Sequence, residues 1–251
     1  MLLCESFRVS FQLDNTFGAV SANEVWKTPY FSNNSIRFSR SIAIDNYMSG
    51  VQVLARTDRY RLSFISGGMF IRESTQAFRI YARTQDWDRV QTHLIDEHIV
   101  SYKTLSSAKR LSREVVLRLR SLEPHEAKFA LDADFEERRA LLWIAICRTY
   151  EIIPDFVRTV LTERLLALRT DLSPQDFEQF LEGRALLHCE VDRLAPSTRT
   201  KLRTVLYRMM NEAGFYDKKE GLKSTYIPAS VRRLIEANIP SEIRYFPGQD
   251  S

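Results

Sequence analysis

From residue 60 onward apolar residues recur at three- and four-residue intervals, the period of helices buried along one side. Phe70, Ala77, Phe78 and Tyr81 share a face and predict a helix after Ser66-Gly67-Gly68. A second is expected from about Asp86, burying Trp87, Val90, Leu94 and Ile95. A third follows Thr104, a good N-cap, with Ala108, Leu111, Val115, Leu119 and Leu122 as its apolar stripe. Pro124 stops it and starts a short helix. Phe135 to Tyr150 is apolar on most sides and predicts a central buried helix, and Pro154 opens another to Leu168.

Ser173-Pro174-Gln175-Asp176 is a strong helix start, with a Ser cap, Pro at the first helical position and a carboxylate in the first turn. That helix is expected to end before Cys189. Pro196-Ser197 opens the next, which closes with Asn211 and Gly214. Phe215 to Ile227, centred on Lys218-Lys219-Glu220-Gly221, reads as a small hairpin. Pro228 starts one more helix through Ala237, and the rest, from Ile239, reads as a tail.

The expected fold is therefore all-α, with two packed helical lobes. Each lobe carries a helix-turn-helix-like pair, and the C-terminal one is winged by a short β-hairpin. The boundaries fall at 1–57 for an irregular N-terminal extension, 58–170 for the first lobe, and 171–251 for the second lobe and tail. The extension is rich in Ser, Asn and Phe and shows no sustained period. It is either a real irregular arm or the product of too early a start codon. Met48, opening MSGVQVLARTDRYRLSF, is the favoured alternative start.

Composition narrows the class. The chain has 251 residues, 44% hydrophobic and 27% charged, enough apolar material for a real core. The longest apolar run, Ala140 to Cys147, is far short of the ~20 residues of a membrane-spanning helix, so no membrane partner is expected. Three separated cysteines give neither a disulfide framework nor a zinc knuckle, and the cytoplasm is the default location. The net charge of +4 permits nucleic acid as a partner without demanding it.

The charge distribution says more. Leu105-SSAKRLSREVVLRL echoes Pro196-STRTKLRTVLYRMM, with Ser106 on Ser197, Arg110 on Lys201 and Leu111 on Leu202. Each is a long helix in the second position of a helix pair, the place of the helix that enters the major groove. Lys103, Lys109, Arg110, Arg113, Arg118 and Arg120 face a single acid, Glu114, in the first. Lys109, Arg113 and Arg120 are expected opposite the Leu111/Val115/Leu119 stripe. The second carries Arg199, Lys201, Arg203 and Arg208 with no acid to Arg208. There Arg203, Thr204 and Tyr207 are expected opposite Leu202/Leu206/Met209. Lys218, Lys219 and Lys223 on the hairpin would extend this face as a wing.

Such faces are either ordinary solvated surfaces or phosphate-neutralising ridges, and their repetition favours the second. The hairpin is equally readable as a charged surface turn. Glu123, Glu126, Asp132, Asp134, Glu136 and Glu137 crowd just beyond the first basic helix.

Catalytic signatures are wanting. His93, His98, His125 and His188 form no HExxH, and Ser66-Gly67-Gly68 lacks the Lys-Ser/Thr of a phosphate loop. Asp132, Asp134 and Glu136 lack the Gly and terminal Glu of a calcium loop. Pro154-Asp155 with Glu163-Arg164 lacks a nuclease lysine, and His188-Cys189 reads as a helix-end core pair. Neither catalytic residues, a metal nor a cofactor is expected, and the chain is read as a non-enzyme.

The strings YRLSFISGGMFIRES, SSAKRLSREVVLRLRSL, LLWIAICRTYEIIPDFVRTVL, DFEQFLEGRALL, STRTKLRTVLYRMMNEAGF and RYFP resemble the BrxA family, the small subunit of BREX (bacteriophage exclusion) defence systems. The resemblance runs from about Arg59 to Pro247. It implies an all-helical, DNA-binding protein with two helix-turn-helix lobes and no known enzymatic activity. It also implies work beside the BREX methyltransferase, phosphatase-like and ATPase subunits. Residue reading and resemblance together point to a double-stranded-DNA-binding accessory protein. Alternatives are a scaffold docking other BREX subunits and an RNA-binding helical module.

Overall fold

Eleven α-helices, a π-helical segment, a 3₁₀ segment and one hairpin make up the regular structure of residues 59–65, 67–100 and 103–249, which this computed structural model describes. The expected extension over 1–57, with Met48, lies outside the described residues. Tyr60–Ser251 group as one compact unit.

The first three expected helices are α1 (Ile71–Thr84), α2 (Trp87–Asp96) and α3 (Leu105–Leu119). Asp86 caps α2 by accepting from the Asp88 and Arg89 amides, and Thr104 caps α3 by accepting from Ser107 N–H. Trp87 and Ile95, expected in the core, are only half-buried, and Trp87 stacks on Tyr81 with ring centroids 4.0 Å apart. Pro124 starts α4 (Pro124–Asp132) and Asp134 caps α5 (Phe135–Thr149). The acidic crowd seen in the sequence is spent largely on these helix starts. Glu123 N–H donates to Glu126 Oε2, and Asp134 and Glu137 close a reciprocal capping box.

Helix α5 is the centre of the molecule. Every residue from Ala140 to Cys147 is buried, and the helix packs against α1, α3, α4 and the following α6. Its Arg148 is held between two buried carboxylates, 2.6 Å from Glu126 and 2.7 Å from Glu242. Burial alone would raise the Glu126 carboxyl, but the Arg148 and Glu123 hydrogen bonds prevail and hold it below its ordinary range.

Glu242 lies in the stretch expected to be a tail. Pro240–Tyr245 instead forms a 3₁₀ segment that packs against α5. Trp143 Nε1 donates to the Tyr245 carbonyl at 2.7 Å, and Phe246 is buried. Apolar anchors at Phe246 and the Glu242 charge keep this terminus in the core. Pro154 likewise does not open its helix. Helix α6 (Ile152–Phe156) starts two residues earlier and continues through a π-helical stretch, Val157–Thr162, into α7 (Glu163–Leu166). Pro154 sits in the first turn, where its missing N–H would have no partner. Thr159 Oγ1 donates to the Asp155 carbonyl at 2.7 Å just where the helix widens.

The remaining elements are α8 (Pro174–Ala185), α9 (Cys189–Asp192), α10 (Pro196–Glu212), β1 (Tyr216–Asp217), β2 (Gly221–Leu222) and α11 (Ala229–Asn238). Ser173 begins α8 as expected, its N–H donating to Asp176 Oδ2 at 2.6 Å. The one-turn α9 was not anticipated from the sequence. Its start, His188, is buried, stacks on Tyr60 with centroids 3.9 Å apart and faces Glu190. Tyr60 N–H also donates to Glu190, and its hydroxyl to Asp155, so the first described residues strap onto α6 and α9.

The strands are antiparallel, Tyr216 opposite Leu222 and Asp217 opposite Gly221. Leu222 N–H also donates to the Thr170 carbonyl at 2.7 Å, which clamps the hairpin to the turn after α7. Gly221 has φ +82, and a Cβ there would lie 2.2 Å from that carbonyl oxygen. Gly221→Ala is therefore expected to cost about 1–3 kcal/mol, read as a lowered urea midpoint.

Candidate nucleic-acid interface

On α3 the apolar stripe points inward as expected. Ala108, Leu111, Val115 and Leu119 are buried, and Lys109, Arg110 and Arg113 are exposed on the other side. None of these three makes an ion pair among the described residues, nor does exposed Lys103. Arg120 is exposed too but pairs with Asp88 of α2. Surface pairs of this kind are worth at most about 1 kcal/mol, so a phosphate could compete for Arg120.

Arg118, counted among the cations of this helix in the sequence, is not a surface charge. It is 3% exposed, donates to the Gly68 carbonyl at 2.6 Å and to Glu114 at 2.9 Å. Glu114, the lone acid of α3, also accepts from the Tyr150 hydroxyl. Residues 114 and 118 are one turn apart on the inner side, so they neutralise each other inside the core.

On α10, Leu202, Leu206 and Met209 are buried. Ser197, Lys201, Thr204, Arg208 and Asn211, spaced four, three, four and three, are all exposed and form one outward stripe. Lys201 and Arg208 have no ion pair among the described residues, and Thr204 donates to the Thr200 carbonyl at 2.8 Å. Arg199 is half-buried with Nε on the Leu194 carbonyl at 3.4 Å. Arg203 and Tyr207 turn aside to α8. Arg203 pairs with Glu178 at 2.9 Å, and Tyr207 donates to the Ser173 carbonyl at 2.8 Å. Their side of α10 is a helix contact, and the free charge runs along its neighbour.

The echo between the two helices extends to burial. Ser106 and Ser197 are exposed, Arg110 and Lys201 are exposed, and Leu111 and Leu202 are buried. Their surroundings differ. Residues 97–104 join α2 to α3, whereas three residues, 193–195, join α9 to α10. From α8 onward the chain thus runs helix, one-turn helix, short turn, long helix and hairpin. Lys218 and Lys219 are exposed and unpaired among the described residues at the hairpin turn, and Lys223 pairs with Glu220.

The last turns of both basic helices are tied to one piece of chain. Arg118 holds the Gly68 carbonyl, and Glu212 at the end of α10 accepts from Met69 N–H at 2.5 Å. A Cβ on Gly68 would lie 2.2 Å from Glu212 Oε1, so the bare glycine lets this carboxylate come close, and a larger residue would push it aside. Sequence reasoning passed over a further row. Arg72, Arg79 and Arg83 of α1 are exposed and make no ion pair among the described residues. Their spacing of seven and four, one helical face, was the available signal.

No described helix is long and apolar enough to cross a membrane. A BREX protein BrxA of Escherichia coli O9:H4 (strain HS) is 20% identical over 174 residues, covering 68% of this chain and 82% of that protein. Another, of Bacillus cereus (strain H3081.97), is 26% identical over 155 residues, covering 62% and 75%. In fold, the chain resembles the crystal structure of an uncharacterized protein from Magnetospirillum magneticum. The TM-score is 0.64 at 23% identity, covering 75% of this chain and 96% of that one. The BrxA family model matches residues 58–239, most of the chain, and this protein belongs to the BrxA family.

Proposed function

We propose that this BrxA-family protein is a non-enzymatic, double-stranded-DNA-binding accessory component of a BREX anti-phage system. It works in the cytoplasm beside the methyltransferase, phosphatase-like and ATPase subunits. Its two lobes, 58–170 and 171–251, each offer the second helix of a pair to the duplex, and the hairpin serves the second lobe as a wing. The carrying observation is the row of unpaired exposed cations on matching helices, Lys109, Arg110 and Arg113 on α3 and Lys201 and Arg208 on α10. Lys103, Lys218 and Lys219 extend those rows. Arg120, Arg199, Arg203 and Lys223 flank them with charges shared with the protein itself.

Both helices also lack acids in their first turns, so their partial positive ends are free to meet phosphate. Thr204 supplies a neutral hydroxyl within the α10 stripe. Salt titration of binding to a random-sequence duplex tests this reading. Log K should fall linearly with log salt, with a slope of about −0.9 per phosphate contacted. Structured RNA competing as well as duplex would favour an RNA module. Partners retained in nuclease-treated lysate without any duplex affinity would favour a scaffold.

A further inference from the structure

The turn after α7 carries an exposed leucine in a conformation that suits glycine. Leu168 has φ +55 and is 92% exposed, and Leu166 beside it is 75% exposed. The turn is a complete helix stop. Leu168 N–H donates to the Leu165 carbonyl at 3.0 Å, and Arg169 N–H donates to the Arg164 carbonyl at 2.8 Å. Glycine is the usual occupant at the left-handed position of such a stop.

Three other described non-glycine residues have positive φ, and each has a local reason. Phe70 is buried beneath the Arg118 guanidinium, 4.9 Å from its ring. The Gln85 side chain bonds the Tyr81 and Ala82 carbonyls at 3.3 Å. His98 is of a type enriched in this region. The Leu168 N–H completes the stop, but its side chain, 92% exposed, gains little packing. Backbone strain and exposed apolar surface coincide at a side chain that adds little to the packed core.

Its position suggests the use. Two residues on, Thr170 clamps β2 through the Leu222 N–H, so the turn and the hairpin are one rigid piece. The end of the chain runs beside the same piece, where a Cβ placed on Gly248 would come 3.6 Å from Leu165 and 3.4 Å from Ser224. The hairpin bears the unpaired Lys218 and Lys219, whereas Arg169 in the turn is exposed but pairs with Asp171 at 3.0 Å, so the hairpin lysines are the cations free to meet phosphate. An apolar tip carried among cations on a rigid support is how minor-groove proteins wedge open a base step.

We propose that Leu168, with Leu166 behind it, inserts between base pairs from the minor groove while the hairpin lysines hold the flanking phosphates, so that the duplex is kinked. This rests on the duplex-binding reading above. The test uses the full chain and a duplex with central TA steps, which unstack readily. A 2-aminopurine at the step reports unstacking, and dyes on the two ends report bending by energy transfer.

The wild-type protein should raise both signals. Leu168→Gly should keep the helical spectrum, melt no lower than wild type and keep the salt slope, yet lose both signals and about tenfold in affinity. A kink unchanged in Leu168→Gly overturns the wedge and leaves duplex binding standing. So does duplex binding by the wild type with neither signal. Loss of self-association in Leu168→Gly, with DNA behaviour intact, makes the leucine a protein contact and overturns the wedge as well. A wild-type protein with no duplex affinity at low salt overturns both readings at once.

Discussion

Arg110→Glu with Arg113→Glu is expected to reduce affinity for a random-sequence duplex about a hundredfold or more at moderate salt, with helical content unchanged. Both side chains are exposed and free of described carboxylates, so the substitutions disturb no internal pair. Each places a negative charge where a phosphate would sit, and like-charge juxtaposition at an interface costs several kcal/mol. The salt slope should also flatten by about 1.8, the share of two phosphate contacts.

Lys201→Glu with Arg208→Glu is the corresponding pair on α10. Arg203 is unsuitable there, because a carboxylate in its place would confront Glu178 and weaken the α8–α10 contact. Arg120→Glu should cost less than Arg110→Glu, since Asp88 already offsets that charge. A mobility-shift titration over several salt concentrations reads all of these. Undiminished binding by both double variants would remove the assignment of these two helices.

Arg148→Ala should produce the largest loss of stability, about 3–5 kcal/mol by urea denaturation, because it leaves two buried carboxylates without their cation. Adding Glu126→Gln and Glu242→Gln to Arg148→Met should return much of that loss, since three neutral groups no longer need one another. Glu126 gives the wild type an acid limit. Glu126 is held below its ordinary range in the folded chain. Its stabilisation is therefore present above the unfolded value of about 4.3 and lost as pH falls through the lower folded value. In Glu126→Gln that part of the acid sensitivity should vanish. The comparison is a urea midpoint measured from neutral pH down to about pH 3.

Particular residues show how far sequence reasoning reached. Thr104 and Ser173 cap the helices their types announce, because a cap is chemistry within four residues. The α3 and α10 stripes were legible because helical period alone separates Leu111 from Arg113 and Leu202 from Thr204. Three other features escaped. The one-turn α9 is too short to show a period, and its start is fixed by Tyr60, far away in sequence. The 3₁₀ segment at 240–245 was read as a tail because its burial depends on Arg148 and Trp143. Arg118 counts among the cations of its helix in the sequence, and nothing local shows that its acceptor is a carbonyl fifty residues upstream.

Local chemistry in the chain thus decided the all-helical class, the helix starts, the inward apolar faces and the two acid-poor cationic helices. Tertiary structure decided which cations remain free. Asp88 reaches Arg120 and Glu178 reaches Arg203 only because α2 packs on α3 and α8 on α10. It also decided that Glu212 and Arg118 meet one turn at Gly68, and that the turn bearing Leu168 is clamped to the hairpin. Helical period and capping act over a few residues and are written in the order of the chain. Ion pairing and backbone clamping depend on distances that exist only after the helices have packed.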